Sequence, residues 1–339
     1  MYEQYFGLAR NPFNMTPDPA LLYMTPSHRE ALAGLAYAIL QCKGFVTMMG
    51  EAGTGKTSLL ARTLRCLPAN RVVSSVILNP SLSEDEFFEL MLMDFGFNDV
   101  PASKARRFLK FQEFLLRTSE AGKIAVLVVD EAHKISPTLL EEIRLISNLE
   151  LPGQKLLQIV LAGQTELNDV LDRPDLRQLR QRIALRLTIQ LLSDREVEEY
   201  MHLRWSKSGP SPLPFAPDSF APIARGSRGI PRLVNSICDN ALMLAFAEKA
   251  ALVEPRHVRE ACHDLCLVEK EPAPKPPLAL NGANGAAALR TPVIEEHTQP
   301  AAVTAPLHLP AGPTRLMESY MQPRRSLWPR WMTTRRAAQ

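Results

Sequence analysis

The sequence predicts an α/β fold built on a parallel sheet, followed by a small all-helical domain and a disordered C-terminal tail. Strand-like apolar segments alternate with segments of helical periodicity, and several apolar runs are unbroken, as in strands that are buried on both faces. After Leu192 the pattern changes to helices alone. Strands are expected near residues 44–49, 73–78, 124–129, 156–162 and 184–190.

Helical periodicity fills the gaps between these strands and continues after them. Because helices cross between successive parallel strands, residues 1–192 are expected to form one α/β domain. Residues 193–268 form the helical domain, residues 269–313 a disordered linker rich in Pro and Ala, and residues 314–339 a basic tail with tryptophans. Helices are expected near residues 27–41, 58–64, 84–95, 104–120, 137–149 and 167–171, and then near 193–206, 218–225, 230–249 and 255–267.

A glycine-rich octapeptide, GEAGTGKT at residues 50–57, joins the first predicted strand to the helix after it. Its glycines let backbone N–H groups turn inward around a phosphate chain, at a helix N-terminus where the dipole already favours an anion. Lys56 can then reach the terminal phosphates, and the Thr57 hydroxyl can coordinate Mg²⁺. The spacing therefore predicts a nucleotide-binding P-loop. The residues expected to contact the nucleotide are Gly50, Glu51, Ala52, Gly53, Thr54, Gly55, Lys56, Thr57 and Ser58.

Two carboxylates follow the third predicted strand. The unbroken apolar run at residues 124–129 leads directly into Asp130 and Glu131. Ligands of open α/β sheets bind at the carboxyl ends of the strands, so both side chains are expected beside the phosphates. Asp130 is placed to hold Mg²⁺, and Glu131 to orient and polarise the attacking water, which suits hydrolysis better than mere binding. His133 is assigned no chemistry, because a residue just past a strand end is more often a cap or a loop contact.

Three further features suit an ATPase that works as an assembly. Gln164 follows the fourth predicted strand and places an amide beside the expected γ-phosphate. Arg180 and Arg182 lie just before the fifth strand, where an arginine can project into a neighbouring subunit's site and neutralise transition-state charge. Arg232 opens a helix of the second domain and can lean back onto the phosphates, so that the bound nucleotide is coupled to domain motion.

Length and composition indicate an intracellular protein. A chain of 339 residues predicts about two domains plus a tail. Its five cysteines are dispersed and odd in number, so reduced thiols are expected. The N-terminus lacks the pattern of a signal peptide, and no apolar run approaches the roughly 18 residues that span a bilayer. We therefore expect a cytoplasmic chain without a transmembrane helix.

The basic excess of the chain lies in its tail. Of 39 Lys and Arg and 36 Asp and Glu, nine and four lie from Lys270 onward, which leaves 30 and 32 in the rest. The near-neutral body lacks the basicity that is typical of nucleic-acid-binding domains. Residues 314–339 combine six arginines with Trp328 and Trp331 and one acid, Glu318. That composition suits an anionic membrane surface or an acidic partner, with a peripheral location at the inner membrane.

This set of residues resembles the site of an AAA+ ATPase, with a P-loop, an Asp-Glu strand end, a polar sensor, arginines before the fifth strand and Gly-Ile-Pro-Arg at residues 229–232. Further motifs resemble the secretion ATPases of the ExeA type, also called general secretion pathway protein A, including relatives encoded with exopolysaccharide and exosortase loci. The resemblance covers residues 1–268. The motifs are Tyr5-Phe6-Gly7-Leu8, Asn11-Pro12-Phe13, Pro17-Asp18-Pro19, His28-Arg29-Glu30-Ala31-Leu32, Leu161-Ala162-Gly163-Gln164 and Leu179-Arg180-Gln181-Arg182.

The resemblance implies roles for the candidate residues. The N-terminal segment would contact the adenine, Gln164 would be sensor 1, Arg232 would be sensor 2, and Arg180 or Arg182 would be the arginine finger. The chain would act as a homo-oligomer, expected to be a ring. Hydrolysis of ATP with Mg²⁺ would energise or regulate assembly of a cell-envelope secretion or polysaccharide export system, whose components are the expected partners.

A DNA-associated regulator similar to transposition ATPases is the alternative, because those ATPases share this style of N-terminus and P-loop. Nucleic acid would then be the partner. The contacts to DNA phosphates would come from Lys104, Arg106, Arg107 and Lys110 on the predicted helix 104–120. A nucleotide-dependent switch with negligible turnover is a third interpretation, which the intact Glu131 disfavours.

Overall fold

A five-stranded parallel sheet forms the centre of the α/β part. The computed structural model describes residues 2–16 and 21–267 of the chain. The strands are β1 (Phe45–Met49), β2 (Val72–Ile77), β3 (Ile124–Val129), β4 (Leu157–Gly163) and β5 (Ile183–Thr188). Their spatial order is β2, β3, β4, β1, β5, and every neighbouring pair is parallel. The predicted α/β fold is confirmed, and each strand lies within two residues of its predicted bounds.

Burial of the three inner strands explains why their sequences are continuously apolar. Every residue of β1, β3 and β4 is buried, whereas β2 and β5 at the sheet edges are partly exposed. Side chains alternate between the faces, so Phe45 and Leu127 enter one hydrophobic core while Val46 and Val126 enter the other. Helices cover both faces, which is the usual arrangement for a parallel sheet.

Eight helices precede the helical part of the described chain, and side-chain caps fix several of their starts. Thr25, Ser83 and Ser136 each accept a hydrogen bond from a backbone N–H in the first turn that follows, and Glu86 completes a capping box with Ser83. The helices are α1 (Tyr2–Tyr5), α2 (Pro26–Leu40), α3 (Lys56–Cys66), α4 (Glu84–Asp94), α5 (Lys104–Glu120), α6 (Pro137–Ile146), α7 (Glu166–Leu171) and α8 (Arg177–Arg182).

Three short elements differ from the sequence-based expectation. Helix α1 has only four residues and helix α8 has one apolar residue among its six, so neither shows an apolar period, and neither was predicted. The helix expected at 137–149 ends at Ile146, and a small antiparallel hairpin, Glu150–Leu151 with Gln154–Lys155, follows it. Gly153 adopts φ 79° in the turn of this hairpin, a conformation that glycine tolerates without strain.

Four further α-helices follow the sheet within the described residues up to 267: α9 (Asp194–Ser206), α10 (Phe220–Ser227), α11 (Pro231–Ala247) and α12 (Pro255–Asp264). They share a hydrophobic core of their own, with Trp205 buried at its centre. Tyr2, Phe6, Leu8 and Phe13 also pack in this core, so the start of the chain is joined to the helical part although the predicted division placed it with the sheet. The division into domains stays a prediction.

Some predictions fall on parts of the chain that the structure does not describe. The motif Pro17-Asp18-Pro19, the end of the helical domain at residue 268, the linker at 269–313 and the tail at 314–339 lie outside the described residues. Within residues 2–16 and 21–267, none of the helices has the length and apolar character required to cross a membrane.

Gly229 provides a test of how the helical part is attached to the sheet. It adopts φ 72°, and a Cβ atom there would lie 2.1 Å from the carbonyl oxygen of Leu192, whose N–H bonds to Gly229. We expect Gly229→Ala to lower the free energy of unfolding by more than Gly122→Ala, because Gly122 has a similar φ of 67° but open space around it. The difference should be at least about 1 kcal/mol. Equal losses of stability in urea would contradict this role for Gly229.

Candidate active site

A cleft opens at the carboxyl edge of the sheet, between the P-loop and the helical part. Strands β1, β3 and β4 end side by side here, with Met49 aligned to Gly163 and Val129 to Leu161. Residues 50–57, Asp130 and Gln164 follow these three strand ends, so the fold brings the separate motifs together. The cleft is lined by Asn14, Met15, Thr16, Leu21, Leu22, Tyr23, His28, Ala52, Gly53, Thr54, Gly55, Lys56, Thr57, Ser58, Glu131, Gln164, Leu192, Tyr200, Arg204, Pro231, Arg232 and Asn235.

The P-loop depends on glycine at two positions. Gly53 and Gly55 adopt φ of 82° and 96°, which L side chains rarely tolerate, and Gly55 is the N-cap of α3. A Cβ on Gly53 would lie 2.7 Å from the Cβ of Arg232, so the loop and the start of α11 approach too closely for a larger residue. The N–H groups at the start of α3 have no partners within the helix and are available to an anion.

Lys56 is the buried cation of the loop. Its ammonium donates to the carbonyl oxygens of Gly50 at 2.8 Å and Glu51 at 3.0 Å. Burial lowers the pKa of Lys56, and the negative charges of Asp130 and Glu131 oppose that effect. A positive charge is therefore held against the loop, where the terminal phosphates of a nucleotide would lie.

The side chains of Thr57 and Asp130 contact each other at the carboxyl edge of the sheet. The Thr57 hydroxyl donates to one carboxylate oxygen of Asp130, and the backbone N–H of Glu131 donates to the other at 2.9 Å. Burial raises the pKa of the Asp130 carboxyl, while these hydrogen bonds and the Lys56 charge favour its ionised form. A hydroxyl and a carboxylate on one site form the oxygen ligand set that Mg²⁺ prefers.

Glu131 is held in an unusual backbone conformation. It adopts φ 54° directly after β3, a left-handed geometry that costs a non-glycine residue on the order of 1 kcal/mol or more. Its carboxylate lies 3.2 Å from the Lys134 ammonium and 3.6 Å from Nε2 of His133. Burial alone would raise the pKa of Glu131, but the nearby cations outweigh it and hold the pKa below its usual range. The side chain therefore faces the cleft as an anion.

His133 connects Glu131 to Gln164. The backbone N–H of Gln164 donates to Nδ1 of His133 at 3.3 Å, and the Gln164 side-chain amide lies 3.3 Å from Nε2 of the same ring. Because Nδ1 accepts a hydrogen bond, a neutral ring carries its proton on Nε2, which faces Glu131 as a donor, so the Gln164 amide nitrogen, also a donor, is not hydrogen-bonded to it. Sequence reasoning assigned His133 no chemistry and expected a cap or a loop contact, and it did not foresee the contact with Gln164, which is 31 residues away along the chain.

The amino-acid sequence that forms this site is similar to the sequences of known proteins. Residues 39–171 match a family described as an AAA domain. Over 272 residues the chain is 40% identical to general secretion pathway protein A of Aeromonas hydrophila, a match that covers 80% of this chain and 50% of that protein. This chain contains an AAA+ ATPase domain of the type found in general secretion pathway protein A. It spans half the length of that relative.

Solved structures share the AAA+ fold at low sequence identity. The ORC2 protein of Aeropyrum pernix, solved in ADPNP-ADP complexes, superposes with a TM-score of 0.58 at 15% identity, over 76% of this chain and 72% of that one. The origin recognition complex of Drosophila bound to DNA gives 0.58 at 21% identity, over 76% and 65%. At these identities the likeness shows the fold alone.

Three arginines of the AAA+ domain occupy two different places. Arg232, at the start of α11, lines the cleft and packs against Gly53. Arg180 and Arg182 lie outside it: Arg180 pairs with Asp172 at 2.8 Å, and Arg182 donates to the Ser147 hydroxyl at 3.2 Å. The structure therefore brings Arg232 into the site of its own chain and leaves the two predicted finger residues on another surface.

His28 is a site residue that sequence reasoning did not single out. Its ring is buried, with Nε2 at 3.0 Å from the Thr54 carbonyl oxygen and Nδ1 at 2.6 Å from the Thr25 hydroxyl. A carbonyl can only accept, so Nε2 carries the proton and Nδ1 accepts from Thr25. His28 thus fastens the P-loop to α2. The only signal in the sequence was its place within one of the family motifs.

Most of the cations that were expected to contact DNA from helix α5 form ion pairs within the chain. Among the described residues, Arg107 is buried and pairs with Asp85, Lys104 lies 2.7 Å from Glu142, and Lys110 lies 3.5 Å from Asp99. Three of the four proposed phosphate contacts are thus neutralised by carboxylates of the same chain. The remaining one, Arg106, is exposed.

His28 should make stability depend on pH. Burial lowers its pKa, so the folded chain favours the neutral ring, whereas an unfolded histidine binds a proton near pH 6.5. The contribution of this burial is therefore present above about pH 6.5 and is lost as the pH falls below it. We expect the urea midpoint of the wild type to fall more than that of His28→Gln between about pH 7.5 and 5.5.

The glutamine amide can still donate to the Thr54 carbonyl, which keeps the variant close in structure. His263→Gln is the matched control, because the His263 side chain is 81% exposed and should leave the wild-type pH profile unchanged. Parallel pH profiles for the wild type and His28→Gln would rule out His28 as the titrating group.

Proposed function

We propose that the cleft binds ATP with Mg²⁺ and hydrolyses it. The observation that carries this proposal is the convergence of Lys56, Thr57, Asp130, Glu131 and Gln164 at the N-terminus of α3. Loop N–H groups and the Lys56 ammonium would hold the β- and γ-phosphates, exchanging the loop carbonyls that Lys56 now contacts for phosphate oxygens. The other nucleotide contacts would come from residues 50–58.

Thr57 and Asp130 would hold the metal. Their contact supports this role, because a buried carboxylate that shares a hydrogen with a hydroxyl offers two oxygen ligands at one point. Mg²⁺ would neutralise charge on the phosphates and help to align them. The backbone N–H of Glu131 fixes the Asp130 carboxylate, and this carboxylate in turn holds the Thr57 hydroxyl beside the loop.

Glu131 would orient the attacking water and accept its proton. Its anionic carboxylate lines the cleft together with Gln164, and His133 lies between the two residues, 3.6 Å from the carboxylate and accepting a hydrogen bond from the Gln164 backbone N–H. Gln164 would contact the γ-phosphate as sensor 1. Arg232 would contact the phosphates as sensor 2, and because it belongs to α11 it would transmit the state of the nucleotide to the helical part.

Arg182, with Arg180 as the alternative, would complete the site of a neighbouring subunit. Both residues lie outside the cleft of their own chain, which supports action in trans, and an arginine finger supplies positive charge only at the transition state. The active form would then be a homo-oligomer, expected to be a ring.

The cellular role we propose is to energise or regulate the assembly of a cell-envelope secretion or polysaccharide export system. The identity to general secretion pathway protein A supports it, since that relative is named for secretion. The protein would act in the cytoplasm, and its basic tail would bring it to the inner membrane by binding anionic lipid. A DNA-associated role is not favoured, because the cations of α5 are paired within the chain.

Glu131→Gln is the direct test of hydrolysis. The amide cannot accept a proton from water, so phosphate release should fall by roughly 10²- to 10⁴-fold. ATP affinity, measured by calorimetry, should persist, whereas Lys56→Ala should lose most of it. Glu113→Gln serves as the control, because the exposed Glu113 pairs with Arg117 on α5, away from the cleft. Hydrolysis by Glu131→Gln at the wild-type rate would remove Glu131 from the mechanism.

Arg182→Ala tests whether subunits share sites. We expect ATP binding to persist while turnover falls by roughly 10³-fold, because the missing charge acts on the neighbour. Mixing Arg182→Ala with Lys56→Ala should restore part of the activity, since one variant supplies an intact pocket and the other an intact arginine. Full activity in both Arg182→Ala and Arg180→Ala, together with a rate per subunit that is independent of dilution, would show that no neighbour is needed.

The envelope role predicts a defect in export. Replacing the chromosomal gene by the Glu131→Gln allele should reduce secreted protein or surface polysaccharide, because nucleotide is bound without turnover. The Glu113→Gln allele is the control, and both proteins should accumulate to the same level. Normal export with the Glu131→Gln allele would refute this role while leaving the ATPase proposal intact.

A further inference from the structure

The first residues of the chain are tied to the helical part by polar bonds as well as by packing. The Tyr2 hydroxyl and the Asn11 amide both donate to the carboxylate of Asp239 on α11. The Ala9 N–H donates to the Ser208 carbonyl at 2.9 Å, just after α9. Residues 2–16, here called the N-terminal segment, therefore lie on the helical part and lead from it into the cleft.

Arg204, on α9, holds the last part of this segment. Its side chain is buried, with 7% of the residue exposed. Nε donates to the Pro12 carbonyl oxygen at 2.6 Å, and the two terminal nitrogens donate to the Asn14 carbonyl at 3.4 Å and to the Tyr200 hydroxyl at 3.0 Å. The guanidinium carbon also lies 5.4 Å from the centre of the Tyr200 ring.

The planar guanidinium suits this task better than any other cation. Its donors point in fixed directions, so one side chain can bind two carbonyls that are two residues apart. Hydrogen bonds from a charged donor are stronger than neutral ones, and burial away from water strengthens them further. Among the described residues no carboxylate lies within ion-pair distance of Arg204, so backbone carbonyls and a tyrosine are its partners.

The residues held in this way form one wall of the cleft. Asn14, which Arg204 contacts, lines it together with Met15 and Thr16, and Leu21 and Leu22 line it as well. The P-loop and α3 supply N–H donors and a lysine for phosphates, whereas Met15 and the leucines supply the apolar surface on which an aromatic base can lie. The cleft thus offers a polar wall to the phosphates of a nucleotide and an apolar wall to its base.

We propose that Arg204 is the positioning residue for the base of the bound nucleotide, acting through the backbone of residues 12–14. The inference rests on the proposed ATP site. The base wall is attached to α9, and Arg232 belongs to α11, so the helical part carries both the base contact and a phosphate contact. Movement of the helical part relative to the P-loop would then change the contacts to the base and the contacts to the phosphates together.

Two substitutions in the full chain test this role. Arg204→Met removes the charged donors and keeps most of the side-chain volume, and Arg204→Lys keeps the charge but loses the planar fork. Binding of ATP and of inorganic tripolyphosphate, which has no base, is measured by calorimetry for each protein, alongside KM and kcat. Arg204→Lys is the milder change and keeps the test valid if Arg204→Met fails to fold.

Both variants should bind ATP roughly tenfold or more weakly, with a matching rise in KM. Their affinity for tripolyphosphate and their kcat at saturating ATP should stay within about twofold of the wild type. A structural defect would reduce all of these quantities together, whereas loss of base positioning changes only those that involve the base.

Three outcomes would overturn the inference. Parallel losses for ATP and tripolyphosphate would mean that Arg204 contacts phosphate or supports the whole site. Full ATP affinity in Arg204→Lys would mean that its charge, and not its geometry, matters. Unchanged ATP affinity in both variants would mean that the wall does not depend on Arg204. If the wild type binds neither ligand, the proposed ATP site fails first, which is a distinct result.

Discussion

The hydrogen bond between the Thr57 hydroxyl and the buried Asp130 carboxylate joins the two halves of the site, and the rest of the arrangement depends on it. Thr57 lies in the first turn of α3 after β1, and Asp130 follows β3, with β4 between those strands in the sheet. The contact therefore exists only when three parallel strands pair in register. It sets the distance between the P-loop and Glu131, and it directs Asp130 away from bulk water.

The helical part supplies the side of the cleft that lies opposite the strand ends. Gly229 lies so close to Leu192 that no side chain fits between them, and the next turn carries Arg232 against Gly53 of the P-loop. On the other side of the cleft, Arg204 fixes the backbone that leads to Asn14. The walls of the cleft thus come from both the sheet and the helical part. The shape of the cleft therefore depends on the contact between Leu192 and Gly229, where the two parts join.

Much of this architecture was predictable from sequence. Inner strands such as β3 are apolar at every position because both faces are covered, and this signal gave their bounds within one or two residues. The P-loop was equally clear, since its glycines are needed for local backbone geometry. Helix α8 and the hairpin after Ile146 were missed, because the mostly charged and polar sequence of α8 and the two-residue strands of the hairpin show no apolar period, and both form where tertiary contacts favour them.

By itself, the sequence determined the order of strands and helices, the phosphate loop and the acidic pair, since each depends on residues that are neighbours along the chain. Only the tertiary structure decided that His28 fastens the loop, that His133 lies between Glu131 and Gln164, and that the first residues pack on the helical part. It also decided that the lysines and arginines of α5 are mostly paired with carboxylates. Such contacts join residues far apart in the chain, so no local sequence pattern reveals them, and they form only when the fold brings both partners together.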